Sequence, residues 1–219
     1  AEKYFKKAIE LDNNYLKPKY NLYLHYAHIG NFKEAWKYFE HRWKALDVHN
    51  EVNKLSGTRW NLKLSNSVTI WAEQGIGDFI LYSRFFNDLI TLGIHFRVLI
   101  DRKLISIFER TFPNVEFVTE LNKSQLDFHA PLGDLAKFFI NSFNDVRKRS
   151  DAYLKVDKKK SKLIKEILPK GKKICGISWI SKNESLGKNK SITLEDMRDL
   201  LMLPNITFID LQYTDTTKE

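Results

Sequence analysis

Cysteine is almost absent from this sequence, since Cys175 is the single cysteine in 219 residues. One thiol excludes an internal disulfide framework and a cysteine-rich zinc site. Long apolar runs are also absent, and nothing approaches the roughly 18 residues that indicate a membrane-spanning helix. The first ten residues are amphipathic and contain no apolar signal-peptide core. These absences lead us to expect a cytoplasmic protein without a membrane span.

The composition is that of a folded protein with one unevenly placed charge excess. Apolar residues make up 43% of the chain and aromatic residues 13%, which is enough for a hydrophobic core and argues against disorder. The net charge is +9, and nine lysines against Asp157 and Glu166 place +7 of it between residues 155 and 173. Because the excess is local and Tyr153 is the only aromatic residue beside it, we expect no nucleic-acid partner.

The first region, residues 1–46, has apolar positions at helical spacing. Ala1 and Ala35 are 34 residues apart, and so are Phe5 and Phe39. That period is typical of tetratricopeptide (TPR) repeats, so we predict a TPR-like helix pair. A generic antiparallel helix pair is the alternative.

The rest of the chain alternates strand and helix patterns, which predicts an α/β fold with a parallel sheet. A linker, residues 47–66, precedes a Rossmann-like domain at residues 67–156, and a basic linker, residues 157–172, follows it. Residues 173–219 hold two strands and one helix, too little for an independent sheet, so we expect an incomplete second domain and a chain cut from a longer protein. The strands are predicted at 67–71, 95–100, 115–118, 127–130, 173–179 and 206–211, and the helices at 78–92, 104–111, 132–143, 161–168 and 194–203.

The loop of residues 73–78, with the sequence EQGIGD, is the most informative segment for function. It joins the first strand of the Rossmann-like domain to its first helix, and ligands bind at the carboxyl ends of such strands. Gly75 and Gly77 allow a ligand to approach the backbone closely, and a helix N-terminus favours anions or hydroxyls. The dinucleotide fingerprint G-x-G-x-x-G, with Asp101 as the ribose-binding acid, is an alternative. Ile80 at its third glycine position disfavours a dehydrogenase.

Asp78, at the end of this loop, has two interpretations. Aspartate is a preferred helix N-cap, which would make it structural. A carboxylate at a strand end is also placed to act as a general base toward an attacking hydroxyl. Glu73 is a second carboxylate that would serve the same purpose, and helical geometry puts Tyr82 on the same face as Asp78.

Several short segments occur in an order that is typical of one protein family. The segment E-Q-G-I-G-D-F-I-L-Y-S-R-F follows the first strand, and Y-F-E-H-R-W lies at residues 38–43. The other pieces are Trp60, D-F-H-A-P-L at 127–132, G-I-S-W at 176–179, K-S-I at 190–192 and D-L-Q at 210–212. This ordered set resembles bacterial TPR proteins fused to a heptosyltransferase-like glycosyltransferase of family 9, and residues 38–43 resemble the ending that precedes its catalytic part.

The resemblance implies a GT-B fold, in which one Rossmann-like domain binds the acceptor and the other binds a nucleotide sugar. It implies an inverting transfer with Asp78 as the catalytic base, without a metal or other cofactor. The donor domain of this family is longer, so we expect the 219 residues to be a fragment that is inactive alone. The acceptor-site candidates are Glu73, Gln74, Gly75, Gly77 and His129, and the candidates for the donor diphosphate are Ser181, Lys182 and Lys190.

The partners implied are a nucleotide sugar and a glycan, lipid-linked or protein acceptor, with a further protein partner possible on the TPR helices. His129 precedes a proline, and a structural role and a cleft-facing role are equally compatible with its position. Serine and lysine in the lysine-rich loop after residue 179 also suit a solvated surface. A non-catalytic interaction module, built of TPR helices and a Rossmann-like domain, is the alternative function.

Overall fold

A computed structural model describes residues 1–45, 57–62, 67–73, 75–121, 128–181, 187–212 and 215–216. The chain forms two compact units, Ala1–Asp157 and Lys158–Glu219. Two of the predicted site residues, Gln74 and Lys182, lie outside the described residues, as do Asp127 and most of the linker 47–66.

The first unit begins with helices α1 (Glu2–Leu11), α2 (Leu16–His28), α3 (Phe32–Tyr38) and α4 (Arg42–Ala45), with a 3-10 turn at Phe39–His41. The helical nature predicted for this region is therefore confirmed. The helices of this region pack through apolar side chains, because residues of α2 and α3 contact one another and residues of α1. The core of the helices consists of Leu22, Tyr26 and Ala35, packed by Phe5, Ile9, Tyr23, Ala27 and Tyr38.

Gly30 makes the turn between α2 and α3. Its φ is +76°, a left-handed conformation that favours glycine. A Cβ at this position would also lie 2.3 Å from the ring of Phe143. The Asn31 side chain then accepts a hydrogen bond from the Glu34 N–H at 3.3 Å, which caps α3.

A five-stranded sheet forms the centre of the first unit. Its strands are β1 (Thr58–Arg59), β2 (Val68–Trp71), β3 (Phe96–Leu99), β4 (Glu116–Val118) and β5 (Phe128–Pro131). They lie in the order β1-β5-β2-β3-β4, and every pairing is parallel. The predicted α/β fold with a parallel sheet is confirmed. The two-residue strand β1 was not predicted.

The helices of this unit are more divided than the sequence predicts. The segment predicted as one helix at 78–92 forms α5 (Ile76–Tyr82), a 3-10 turn at Ser83–Phe85, and α6 (Phe86–Thr91). The segment at 132–143 gives α8 (Asp134–Phe139), and α9 (Phe143–Arg147) begins after a capping box on Ser142. Helix α7 (Ile105–Thr111) follows β3.

The core lies on both faces of the sheet. All four residues of β2 are buried, which is typical of a central strand in a parallel sheet covered by helices. Several phenylalanines belong to this core, and the Phe79 and Phe108 rings meet edge to face at 5.0 Å. The most buried members of this core are Val68, Ile70, Phe86, Leu89, Val98, Phe108, Ala130, Leu132 and Leu135.

The second unit contains α10 (Lys158–Ile167), β6 (Lys173–Ile177), α11 (Arg198–Leu201) and β7 (Ile206–Asp210). Strands β6 and β7 pair in parallel, as an α/β unit requires. Helix α10 carries lysines and exposes Leu163, Ile164 and Ile167. Within the described ranges, no helix has the length and apolar character needed to cross a membrane.

We expect Leu89→Ala to lower the free energy of unfolding by about 2–5 kcal/mol, because Leu89 is fully buried in α6 and truncation leaves a cavity. Leu81 in α5 is 56% exposed, so Leu81→Ala is the matched control, with an expected loss under about 1 kcal/mol. Urea denaturation followed by circular dichroism measures both. Equal losses in the two variants would contradict the placement of α6 against the sheet.

Candidate functional site

The candidate site lies at the carboxyl edge of the sheet, where β2 and β5 end side by side. Trp71 of β2 is in register with Pro131 of β5, and the Leu132 N–H donates to the Trp71 carbonyl at 2.9 Å. The loop after β2 therefore runs beside the loop after β5. This arrangement brings Glu73 close to Asp134, although the two are far apart in sequence.

A buried guanidinium joins these loops to the helices. Arg42 of α4 donates through Nη2 to Glu73 Oε2 at 3.1 Å and to Asp134 Oδ1 at 2.7 Å. Its Nη1 donates to the Phe39 carbonyl at 3.2 Å. The guanidinium also lies over the Phe39 ring at 3.6 Å and the Trp43 ring at 3.9 Å from the ring centroids. Arg42 thus fastens the end of the helical region to the carboxyl edge of the sheet.

Further ion pairs surround this contact. Asp134 also pairs with Arg59 of β1 through its second oxygen. Glu40 pairs with Arg59 at 3.3 Å and with Lys137 at 3.0 Å. Burial raises the pKa of Glu40, but Arg59 and Lys137 outweigh it and hold that pKa below its ordinary value. We call these six residues, three cations and three anions, the Arg42 cluster: Glu40, Arg42, Arg59, Glu73, Asp134 and Lys137.

Glu73, a member of the Arg42 cluster, also lines a cavity. Its side chain is 5% exposed, and burial raises the pKa of its carboxyl group even though Arg42 opposes that shift. Glu73 Oε1 is buried, and no donor in the described part of the chain reaches it. A Cβ on Gly133 would lie 2.2 Å from this oxygen, so the close approach depends on glycine at position 133.

Asp78 is in the first turn of α5, and the N-cap is Gly75. The N-cap interpretation of Asp78 is therefore wrong, because the helix begins at Ile76, two residues before it. Asp78 and Glu73 line the same cavity of about 10 Å³. Its other lining residues are Ala72, Phe79, Tyr82, Leu132 and Gly133. That volume suits one group of the size of a water molecule or a hydroxyl.

The pKa of Tyr82 is affected by both carboxylates, Glu73 and Asp78. Burial is the main cause that raises the pKa of its phenol, and the negative charges of Glu73 and Asp78 add to the shift. Tyr82 therefore shares a face with Asp78, as the helical spacing predicts. Tyr82 also lines a groove of about 210 Å³, with Tyr23, Trp36 and Leu81 among the other lining residues.

Gly75 and Gly77 are exposed, and a Cβ at either position would meet nothing within 4 Å. Neither glycine is therefore required by crowding in this structure. The open space over the loop is compatible with a ligand approaching the backbone there. This is the role that the sequence assigns to the two glycines.

His129 lies inside the sheet, in β5, and is 3% exposed. Its Nδ1 accepts a hydrogen bond from Trp71 Nε1 at 3.1 Å. Burial, and then the positive charge of Arg59, lower the pKa of its imidazole. Of the two roles left open by the sequence, this environment favours the structural one.

The donor-diphosphate candidates lie in the second unit, after β6. The Ser181 N–H donates to Ser191 Oγ at 2.9 Å, and that hydroxyl donates to the Gly187 carbonyl at 2.7 Å. Lys190 is exposed at the end of a 3-10 turn, Lys188–Lys190. The structure thus places Ser181 and Lys190 on a common loop closed by hydrogen bonds.

Gln212 organises the loop after β6. Its Oε1 accepts hydrogen bonds from the backbone N–H groups of Trp179 and Ile180, both at 3.1 Å, and from Ser178 Oγ at 3.0 Å. Its Nε2 donates to the Ile180 carbonyl at 2.8 Å. The G-I-S-W and D-L-Q segments of the sequence therefore meet in one hydrogen-bonded arrangement.

Sequence reasoning missed the roles of Arg42, Arg59, Asp134 and Gln212. The first three are charged residues beside aromatic or apolar ones, and such positions signal a buried ion pair only when the partner is known. Within the described ranges, no group of three or more histidine, cysteine, aspartate or glutamate side chains is arranged to hold a metal ion.

Comparisons with known proteins add a distant similarity. The chain is 24% identical over 216 residues to the protein FlbA of Caulobacter vibrioides. The alignment covers 87% of this chain but 36% of FlbA, so the chain spans little more than a third of that relative's length. No family model matches the chain, and no solved structure matches it.

We expect Arg42→Met to destabilise the protein by about 3–5 kcal/mol, because it leaves two buried carboxylates without their shared cation. Arg102→Ala, at an exposed arginine of the same unit, is the control and should cost less than about 0.5 kcal/mol. Chemical denaturation measures both. A loss of stability no larger for Arg42→Met than for the control would contradict a buried charge cluster.

The stability of the protein should also fall as the pH drops below about 6.5, the ordinary histidine pKa. Folding holds the His129 imidazole neutral, while the unfolded chain takes up a proton in that range, so acid favours unfolding. The contribution is complete above pH 6.5 and is lost toward the lower folded pKa, by at most about 1.4 kcal/mol per pH unit.

His129→Asn tests this dependence, because its side-chain oxygen still accepts from Trp71 and does not titrate in this range. Unfolding free energies of the two proteins are compared from pH 8 to pH 5. The difference between them should shrink as the pH falls. A constant difference would show that His129 makes no pH-dependent contribution.

Proposed function

We propose that this chain is the acceptor-binding part of an inverting GT-B-type glycosyltransferase that uses a nucleotide-sugar donor. The observation that supports this most is the pair of carboxylates, Asp78 and Glu73, lining one cavity at the carboxyl edge of a parallel sheet. Gly75 and Gly77 lie beside them under open space. Ligands of α/β proteins bind at this edge.

Asp78 is the proposed base. The family resemblance assigns this role to Asp78, and Glu73 Oε2 already accepts a hydrogen bond from Arg42 at 3.1 Å. In the proposed step, Asp78 takes the proton of the acceptor hydroxyl. The hydroxyl oxygen then bonds to the anomeric carbon of the donor from the opposite side, and the nucleoside diphosphate leaves with the electrons of the broken carbon–oxygen bond.

The other parts of the proposal concern the donor and partners. Ser181 and Lys190 would contact the diphosphate of the donor, since a leaving diphosphate needs cationic and hydrogen-bonding groups. The helices of residues 1–45 would act as TPR-like repeats that meet a protein partner. A cytoplasmic location completes the proposal, and it requires no metal.

A non-catalytic interaction module is the second candidate. The groove beside Tyr82 favours it, because Tyr23, Trp36, Leu81 and Phe85 give it an apolar lining from both the helices and the α/β part. Such a groove of about 210 Å³ has room for one or two apolar side chains of a partner. The catalytic test separates the two candidates.

The test is a transfer assay on the protein at its natural length, with a panel of nucleotide sugars. Donor hydrolysis and transfer are both scored. We expect Asp78→Asn to lower turnover at least about 100-fold, because an amide cannot take up the acceptor proton.

Asp12→Asn is the matched control, since Asp12 is an exposed aspartate in the turn after α1. It should leave turnover unchanged. Turnover that survives in Asp78→Asn would remove Asp78 as the base, and Glu73 would take its place. No turnover with any donor would favour the interaction module.

A further inference from the structure

Glu73 Oε1 is a buried carboxylate oxygen that no hydrogen-bond donor among the described residues reaches. A carboxylate oxygen buried without a hydrogen bond costs on the order of 1–3 kcal/mol or more, so such atoms normally meet a donor. Glu73 Oε2 is occupied by Arg42, but no donor within the described residues reaches Oε1. The side chain is 95% buried and lines the cavity that Asp78 also lines.

The geometry of the neighbours keeps this oxygen in place. Gly133 closes against it so tightly that a Cβ there would lie 2.2 Å away. Arg42 holds the other oxygen from the side of the helices. Glu73 Oε1 is thus a fixed acceptor rather than a mobile surface carboxylate.

Resting on the function proposed above, we propose that Glu73 Oε1 accepts a hydrogen bond from a second hydroxyl of the acceptor, next to the hydroxyl that Asp78 deprotonates. The substrate class is therefore a vicinal diol, as in a sugar ring. The cavity between the carboxylates suits a single hydroxyl-sized group. Glu73 binds and orients the acceptor, while the proton of the reacting hydroxyl goes to Asp78.

Two small alcohols of nearly equal size provide the probe. Ethylene glycol has a neighbouring hydroxyl and ethanol has a methyl group in its place. Each is offered to the natural-length protein with the nucleotide sugar that is turned over in the transfer assay. The measurement is the ratio of sugar transferred to the alcohol to sugar released by hydrolysis.

This ratio compares two outcomes of one reaction, so a variant that is merely less stable or less abundant does not change it. We expect wild-type protein to prefer ethylene glycol over ethanol by about ten-fold after correction for its two hydroxyls, as one hydrogen bond to a charged acceptor allows. Glu73→Met, which removes the acceptor oxygen, should reduce the preference to near one.

Gly133→Ala tests the same oxygen without changing its charge. The backbone of Gly133 has a φ of −63°, which alanine adopts freely, so the added methyl acts only by displacing Glu73 Oε1. We expect the preference to fall in this variant too. Glu116→Gln is the control, since Glu116 is an exposed carboxylate of β4, and it should keep the wild-type ratio.

The outcomes distinguish this inference from the function on which it rests. Donor turnover with an equal preference in wild type and Glu73→Met would overturn the role of Glu73 and leave the transferase proposal standing. No preference for ethylene glycol in the wild type would also overturn it. Absence of any donor turnover would overturn the proposed function and this inference together.

Discussion

The buried guanidinium of Arg42 is the contact on which the arrangement of the first unit depends. Removing a charged group from water costs several kcal/mol, and this cost is offset only when partners are correctly placed. Its two carboxylates come from the loops after β2 and β5, and its carbonyl acceptor comes from the 3-10 turn before α4. The helical end and both loops must therefore come together for any one of them to be stable there.

The ion pair between Arg42 and Glu73 places the two carboxylates of the candidate site, Glu73 and Asp78, in different environments. Glu73 is buried and has one oxygen committed to Arg42, so burial and a fixed cation act on it in opposite directions. Asp78 is half-buried in the first turn of α5 and is not part of that pairing. Two carboxylates in different environments are a common basis for dividing binding and proton transfer between residues.

The sequence predicts those features of the fold and site that depend on contacts between residues near one another in the chain. Buried strands such as β2 show their burial in a local apolar run, so sequence patterns predicted the parallel sheet. Strand β1 has only two residues and gives no such pattern. The Arg42 cluster is not local, because Arg42 meets its partners 31 and 92 residues further along. The position of Glu73 Oε1 depends on its close approach to Gly133, and no spacing in the sequence indicates that contact.

The segment at residues 38–43 now has a physical explanation that does not require chemistry of its own. Glu40 and Arg42 supply ion pairs to the cluster, and the Trp43 ring lies 5.9 Å from the ring of Trp71, at the end of β2. These contacts attach the helices to the strand that leads into Glu73. The helices supply Arg42, the cation that holds Glu73. They are therefore a structural part of the candidate site. A change at the helical end would therefore reach Glu73 and Asp134 through Arg42, the residue that contacts both.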